Sequence, residues 1–369
     1  MQVNNYIHKQ SVVSTIALFL LVPVPSSQAQ SRYVSPIPLT PSSCEQARDV
    51  TQAGIKMSEA KQFSQAIEKF EAALKLCPED ENAALDLVQT TVDAKDYVRT
   101  ESAAKALLVH HPQSETGQVF LAYSYLLQRK SRDAAKTLQK LIAQDEKNPD
   151  ALKLMGLVLY FYKEYTLAEK EFRAALAIRP QDERALYALG RVYQTQNNFP
   201  PAIQCFKQLI DRDPYYYRAY VNLALCYEAQ GKIEEAGAIF KKAELVAAKV
   251  NPNYDWAYAD YAEMLVKRGQ NDEALQHIEK AVQINPQSAR DQFLLGKVLL
   301  AKDDIPNAEE HLRMSVQLDD GLAEAHYLLG RVYLKKNEPG KAQQEFARFK
   351  ELSEKKHVPG TEPSDNDRE

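Results

Sequence analysis

Apolar and small side chains recur along most of this chain in blocks with a period of about 34 residues. The block at 186–190 (LYALG) has one counterpart a period earlier, at 152–156 (LKLMG), and another a period later, at 220–224 (YVNLA). After four extra residues, the same frame continues through YADYA at 258–262, QFLLG at 292–296 and HYLLG at 326–330. A fixed period of this size indicates a stack of similar supersecondary units.

Two further landmarks keep the same frame. The first is an alanine twelve residues after the small residue of a unit, and it occurs in eight units: Ala66, Ala134, Ala168, Ala202, Ala236, Ala274, Ala308 and Ala342. The second is a large apolar side chain four residues later: Phe70, Leu138, Phe172, Phe206, Phe240, Ile278, Leu312 and Phe346. Apolar residues at helical spacing predict two amphipathic helices in each unit. Neither helix can bury its apolar stripe alone, so the units must stack.

This pattern of large, small, alanine, aromatic and closing proline positions resembles the tetratricopeptide repeat. We count nine repeats, which begin near Ala47, Glu81, Glu115, Pro149, Glu183, Tyr217, Asp255, Ala289 and Ala323. The resemblance implies an all-α fold, a right-handed superhelical solenoid of helix-turn-helix repeats over residues 44–354. The extra residues at 251–254 form an insertion after the second helix of the sixth repeat.

The N-terminal segment has a different pattern. An apolar run at 12–24 is followed by Ser27-Gln28-Ala29, which predicts a signal peptide at 1–29 that is cleaved after Ala29. The alternative is that the segment stays attached as a membrane anchor. Residues 30–43 are rich in proline and predict an extended, non-helical leader, whereas 355–369 is polar and predicts a disordered tail. We therefore expect an exported protein, either periplasmic or secreted.

Composition gives no sign of catalysis or of nucleic-acid binding. The formal net charge is −4, so the chain lacks the basic excess that nucleic acid selects. The seven histidines have no metal-ligand spacing, and no phosphate-binding glycine loop or nucleophile elbow occurs. We expect no enzyme activity, no cofactor and no metal.

The four cysteines matter because export would place them where disulfides form. Cys44 precedes the first repeat and Cys77 closes it, so antiparallel packing would bring them together. They form either a disulfide or two free thiols. Cys205 and Cys226 could meet across the fifth and sixth repeats, or stay as buried thiols.

The resemblance also implies a concave groove, lined by places 2, 5, 9, 12 and 13 of each first helix. In the third and fourth repeats these places hold apolar and aromatic residues: Tyr123, Leu126, Leu127, Leu157, Tyr160 and Phe161. The later repeats add mainly basic and aromatic residues: Arg184, Tyr187, Arg191, Arg218, Lys267, Arg290, Phe293, Lys297, Tyr327, Arg331 and Lys335.

A basic groove on an acidic protein predicts an acidic or C-terminal peptide as its ligand. The alternative is that these cations are ordinary surface charges paired with neighbours such as Glu263 and Glu324. The function implied is a protein-binding scaffold in the cell envelope or secreted space. An accessory subunit that recruits substrate or glycan to an envelope enzyme is the alternative. The sequence does not predict the oligomeric state, and it predicts membrane contact only through an uncleaved signal or a partner.

Overall fold

The computed structural model describes residues 41–355. The predicted signal peptide, residues 30–40 of the predicted leader and residues 356–369 of the predicted tail lie outside this range. Within it the chain forms 18 α-helices and no strand, which confirms the predicted all-α architecture of helix-turn-helix repeats. Contacts group the chain into two compact bodies that divide between Cys205 and Phe206. We call them the N-terminal and the C-terminal body.

The helices alternate between first and second helices of the repeats. The first ten are α1 (Pro41–Glu59), α2 (Phe63–Leu76), α3 (Glu81–Asp93), α4 (Tyr97–His110), α5 (Glu115–Leu127), α6 (Ser131–Gln144), α7 (Pro149–Phe161), α8 (Tyr165–Ile178), α9 (Glu183–Thr195) and α10 (Phe199–Arg212). The others are α11 (Tyr217–Ala229), α12 (Ile233–Val250), α13 (Trp256–Lys267), α14 (Asn271–Ile284), α15 (Ala289–Ala301), α16 (Ile305–Leu318), α17 (Ala323–Lys335) and α18 (Pro339–Lys355). Odd-numbered helices are thus the first helices.

The start of the first helix differs from the sequence prediction. Helix α1 begins at Pro41, although residues 30–43 were expected to be a non-helical leader. A proline is tolerated in the first turn of a helix because its missing N–H would have no intrahelical partner there. Cys44 therefore lies in the first turn of α1 rather than before it.

Aromatic side chains of the second helices fill the core beside the small residues of the first helices. In the N-terminal body Phe172 is fully buried, and a Cβ atom on Gly156 would lie 2.8 Å from its ring. In the C-terminal body a Cβ atom on Gly330 would lie 2.6 Å from the ring of Phe346. Each fully buried phenylalanine contributes roughly 1.5–3 kcal/mol. Glycine at these places allows the two helices to approach closely.

Each turn between the paired helices contains one residue in the left-handed conformation. The nine positions are Lys61, Lys95, Arg129, Lys163, Asn197, Gly231, Gly269, Asp303 and Asn337, with φ between 58° and 75°. In the second repeat the amide of Asp96 donates to the carbonyl of Thr91 at 3.0 Å, and Lys95 donates to Val92 at 2.9 Å. These bonds satisfy the last carbonyls of the first helix.

A disulfide joins the two ends of the first repeat. Cys44 is bonded to Cys77, with their Cα atoms 5.0 Å apart. Ala47 and Ala73 are buried beside the bond. Cys205 and Cys226 are both buried and form no disulfide.

Candidate partner-binding surface

The first helices of successive repeats contact each other within each body. The N-terminal body thus has a common face formed by α1, α3, α5, α7 and α9, and the C-terminal body has one formed by α11, α13, α15 and α17. The predicted groove residues lie on these helices. Their surroundings decide which of them can meet a partner.

The aromatic residues of the N-terminal body are mostly used in packing between repeats. Tyr123, Tyr160 and Tyr187 are buried, and the hydroxyl of Tyr160 lies 3.0 Å from Oγ1 of Thr195 on the next first helix. The ring of Phe161 packs edge-on against Tyr160 at 5.9 Å. Leu126 and Leu157 are buried as well, whereas Leu127 and Phe161 are half-buried. The apolar face open to a partner is therefore smaller than the sequence suggests.

The two predicted groove arginines of the N-terminal body, Arg184 and Arg191, both lie near tyrosines. Arg191 hydrogen-bonds to Tyr187 and Tyr160. Burial alone would lower the pKa of its guanidinium, but these two tyrosines outweigh it and raise the pKa. Burial raises the pKa of the Tyr123 hydroxyl, and the positive charge of the nearby Arg184 partly offsets this rise. Arg191 thus stabilises contacts between the fourth and fifth repeats.

A carboxylate on α3 is placed unfavourably. Asp86 is half-buried on this first helix. Burial, with a smaller contribution from the charge of Asp80, raises the pKa of Asp86 to about 6. The folded chain therefore holds the charged form of Asp86 less favourably than the unfolded chain does, and this costs stability at pH values where Asp86 is ionised.

In the C-terminal body Arg290 is the centre of an ion-pair network between two first helices. Its Nη2 atom donates to Oδ1 of Asp260 at 2.6 Å and to Oε2 of Glu263 at 2.7 Å. The guanidinium also lies 5.1 Å from the ring centroid of Trp256. Burial would raise the pKa of Glu263, but the charges of Arg290 and Lys267 outweigh it and lower this pKa to about 2.

Lys267 extends the network to a third first helix. Its Nζ atom lies 3.1 Å from Oε1 of Glu228 on α11 and 3.2 Å from Oε1 of Glu263. Two cations thus face three carboxylates, since Asp260 completes the set. For Arg290 and Lys267 the structure favours the alternative of paired charges over a basic groove.

The last two repeats differ. Lys297 is half-buried and Arg331 is exposed, and within residues 41–355 neither forms an ion pair or a hydrogen bond through its side chain. Both occupy the ninth place of first helices that contact each other. Lys335, also in the last repeat, pairs with Asp303 at 2.5 Å.

The remaining predicted groove cation, Arg218, belongs to the sixth repeat and lies 5.6 Å from the ring centroid of Tyr217.

Apolar side chains flank Arg331 on α17. Tyr327 is 42% exposed and Leu334 is 52% exposed. At the corresponding places of the preceding repeat, Phe293 and Leu300 are each only 6% exposed. We call Lys297, Tyr327, Arg331 and Leu334 the end surface. Leu334 was not singled out from the sequence, although its twelfth place in the repeat could have identified it.

No other functional site is evident in the described part of the chain. Among residues 41–355 no group of three or more His, Cys, Asp or Glu side chains could hold a metal ion. None of the helices in this range combines the length and the apolar character that crossing a membrane requires.

Comparison with known proteins identifies the family. Family models described as Tetratricopeptide repeat match residues 121–183 and 260–323, 162–214, 215–287 and 323–356. Together they span 121–356, which is more than half of the chain. The chain belongs to the tetratricopeptide repeat proteins. Members of this family generally mediate protein–protein interactions, and the fold is typically non-catalytic.

Individual relatives match only in part. The chain is 26% identical over 195 residues to anaphase-promoting complex subunit 3 of Schizosaccharomyces pombe, covering 53% of this chain and 29% of that protein. It is 34% identical over 94 residues to the peroxisomal targeting signal receptor of Eremothecium gossypii, covering 26% of this chain and 16% of that protein. The DnaJ homolog subfamily C member 7 homolog of Dictyostelium discoideum is 25% identical over 175 residues, covering 43% of this chain and 32% of that protein. The chain thus spans less than a third of each of these relatives.

One solved structure shares the fold over most of its length. The crystal structure of a tetratricopeptide repeat protein from Parabacteroides merdae superposes with a TM-score of 0.56. It is 17% identical in sequence and the match covers 69% of this chain and 99% of that one. This likeness extends to the fold alone.

Proposed function

We propose that this protein is an exported, non-catalytic scaffold that binds an acidic segment of a partner protein on its end surface. The apolar run at 12–24 supports export, as does the disulfide between Cys44 and Cys77, because disulfides persist mainly in oxidising compartments. We place its work in the cell envelope or secreted space, where it would help to assemble a protein complex.

One observation carries the choice of surface. Lys297 and Arg331 have no internal counter-charge among the described residues, whereas Lys267 and Arg290 do. A carboxylate of a partner would form charge-assisted hydrogen bonds with Arg331, and these are roughly twice as strong as neutral ones. Apolar partner groups would cover Tyr327 and Leu334. The combination selects a segment with both acidic and apolar side chains.

The test is an affinity capture from native envelope extract with the full chain. The variant Lys297→Glu with Arg331→Glu reverses both charges of the end surface. A matched control, Lys242→Glu with Lys280→Glu, makes the same charge change at exposed positions of second helices. We expect a partner that the native chain and the control retain and the end-surface variant loses. All three proteins should have equal helical content by circular dichroism.

The partner's contact segment should then bind as a synthetic peptide, with an affinity that falls as salt rises. Retention of the same partner by all three proteins would place binding elsewhere and refute the end surface. Retention of the chain on peptidoglycan or polysaccharide without any protein would favour the accessory-subunit alternative.

A further inference from the structure

The sequence that follows α18 becomes acidic. Residues 361–369 contain four carboxylates, Glu362, Asp365, Asp367 and Glu369, against one arginine. Two prolines, at 359 and 363, stand before and among them. This charge is opposite to that of the end surface, and prolines are common ligands of exposed aromatic rings.

The last helix, α18, ends close enough to the end surface for the residues that follow it to reach that surface. Helix α18 runs antiparallel to α17, because Lys341 near the start of α18 lies 5.3 Å from the ring centroid of Tyr333 near the end of α17, whereas Phe349 near the end of α18 packs against Tyr327 near the start of α17 at 5.3 Å. The end of α18 at Lys355 thus lies on the side where α17 begins. The distance from Lys355 back to the level of Arg331, measured along the axis of α17, is about 15–22 Å. The ten residues that lead from Lys355 to Asp365 can span up to about 33 Å, so the acidic residues can reach the end surface.

Other cations near this end already have counter-charges. Lys336 pairs with Glu309, and Lys341 pairs with Glu338. Lys297 and Arg331 are therefore the cations whose charge an acidic segment would satisfy.

We propose that residues 361–369 bind the end surface in cis, with their carboxylates on Arg331 and Lys297 and a proline against Tyr327. A partner must displace this segment, so the chain carries a built-in competitor for its own binding site. The inference rests on the proposed function only in using the same surface.

The experiment measures binding of a fluorescent synthetic peptide of residues 356–369 to full-length chains by fluorescence polarisation. One chain is native; the other has a neutral tail through Glu362→Gln, Asp365→Asn, Asp367→Asn and Glu369→Gln. A tethered segment acts at an effective concentration in the millimolar range. If the free peptide binds with a dissociation constant of about 0.1 mM, the native tail should weaken its binding about tenfold.

We expect the neutral-tail chain to bind the peptide about tenfold more tightly than the native chain does. Adding Lys297→Glu and Arg331→Glu to it should abolish binding, whereas Lys242→Glu with Lys280→Glu should change nothing. Equal affinity of the native and neutral-tail chains, survival of binding in the end-surface variant, or no binding at millimolar peptide would each overturn the inference. So would a difference that grows with chain concentration, because the occupant would then be a second copy.

The two proposals fail separately. A partner lost on Lys297→Glu with Arg331→Glu while the peptide never binds would keep the proposed function and remove the competitor. A peptide that binds as predicted while every variant captures the same partner would do the reverse.

Discussion

The disulfide of the first repeat gives the sharpest test of how stability is distributed in this chain. The perturbation is the double variant Cys44→Ala with Cys77→Ala. Because each repeat contacts only its neighbours, a covalent link within the first repeat should stabilise that repeat and little else. The variant should therefore open α1 and α2 and leave distant helices unchanged.

The size of the effect follows from the closed loop. The sequence separation of the bonded cysteines is 33. The loss of chain entropy for a loop of this length corresponds to about 3.5–4 kcal/mol at 25 °C. Converted at about 1.4 kcal/mol per tenfold change, the opening equilibrium of the first repeat should rise by roughly 500-fold.

Native-state hydrogen exchange followed by mass spectrometry measures this directly. Peptides from α1 and α2 should exchange several hundred-fold faster in the variant, while peptides from α14 keep their rate. The native chain under reductant is the matched control, because it keeps both sulfur atoms but lacks the bond. Adding reductant to the double variant should have no effect.

Two results would refute the reasoning. Equal exchange of α1 in the native and variant chains would mean that the bond does not limit opening of the first repeat. Equal acceleration in α14 would mean that the array opens as one cooperative unit rather than repeat by repeat.

Three further predictions concern single side chains. Arg290→Ala should lower the free energy of unfolding of the C-terminal repeats by about 3–5 kcal/mol in urea titrations, because it leaves the buried carboxylate of Asp260 without its cation. Lys267→Ala, at an exposed position, should cost less than about 1 kcal/mol. Asp86→Asn should raise the free energy of unfolding at pH 7 by about 1–2 kcal/mol, because it removes an unfavourable charge whose cost is reduced by solvent around the half-buried side chain. Since the folded pKa of Asp86, about 6, exceeds the unfolded value of 3.8, this gain should be complete above pH 6 and vanish below pH 4; a gain that persists at pH 3 would contradict it. Gly156→Ala should cost about 1–3 kcal/mol, measured by thermal unfolding, because its Cβ would press on Phe172.

The repeat architecture was predictable because its signal is periodic and local. The buried ring of Phe172 and the close approach at Gly156 follow from residue type and spacing alone. The start of α1 at Pro41 was not predictable in the same way. A proline-rich stretch predicts extended chain, whereas a single proline at the first turn is compatible with a helix.

The candidate site was harder to predict because charge pairing depends on register across helices. Arg290 and Asp260 belong to successive repeats and meet only when α13 and α15 pack. Both Arg290 and Lys297 were predicted to line the groove, yet Arg290 is paired with Asp260 and Glu263, whereas Lys297 forms no ion pair with a described residue. The exposure of a side chain also depends on the position of its repeat in the stack. Tyr327 and Phe293 occupy the same place of their repeats, but Tyr327 is exposed and Phe293 is buried, because no described repeat follows the ninth.

The left-handed residue in every turn has a consequence for how the stack comes apart. A side chain with a Cβ atom in this conformation costs roughly 1–2 kcal/mol relative to the right-handed one, and glycine avoids that penalty. Among the nine described turns only those of the sixth and seventh repeats have glycine there, Gly231 and Gly269. A fraying front that advances through the C-terminal body should therefore slow at these two repeats. In a single-molecule pulling experiment the delay would appear as two dwells at intermediate extension, one before and one after the insertion at 251–254 yields.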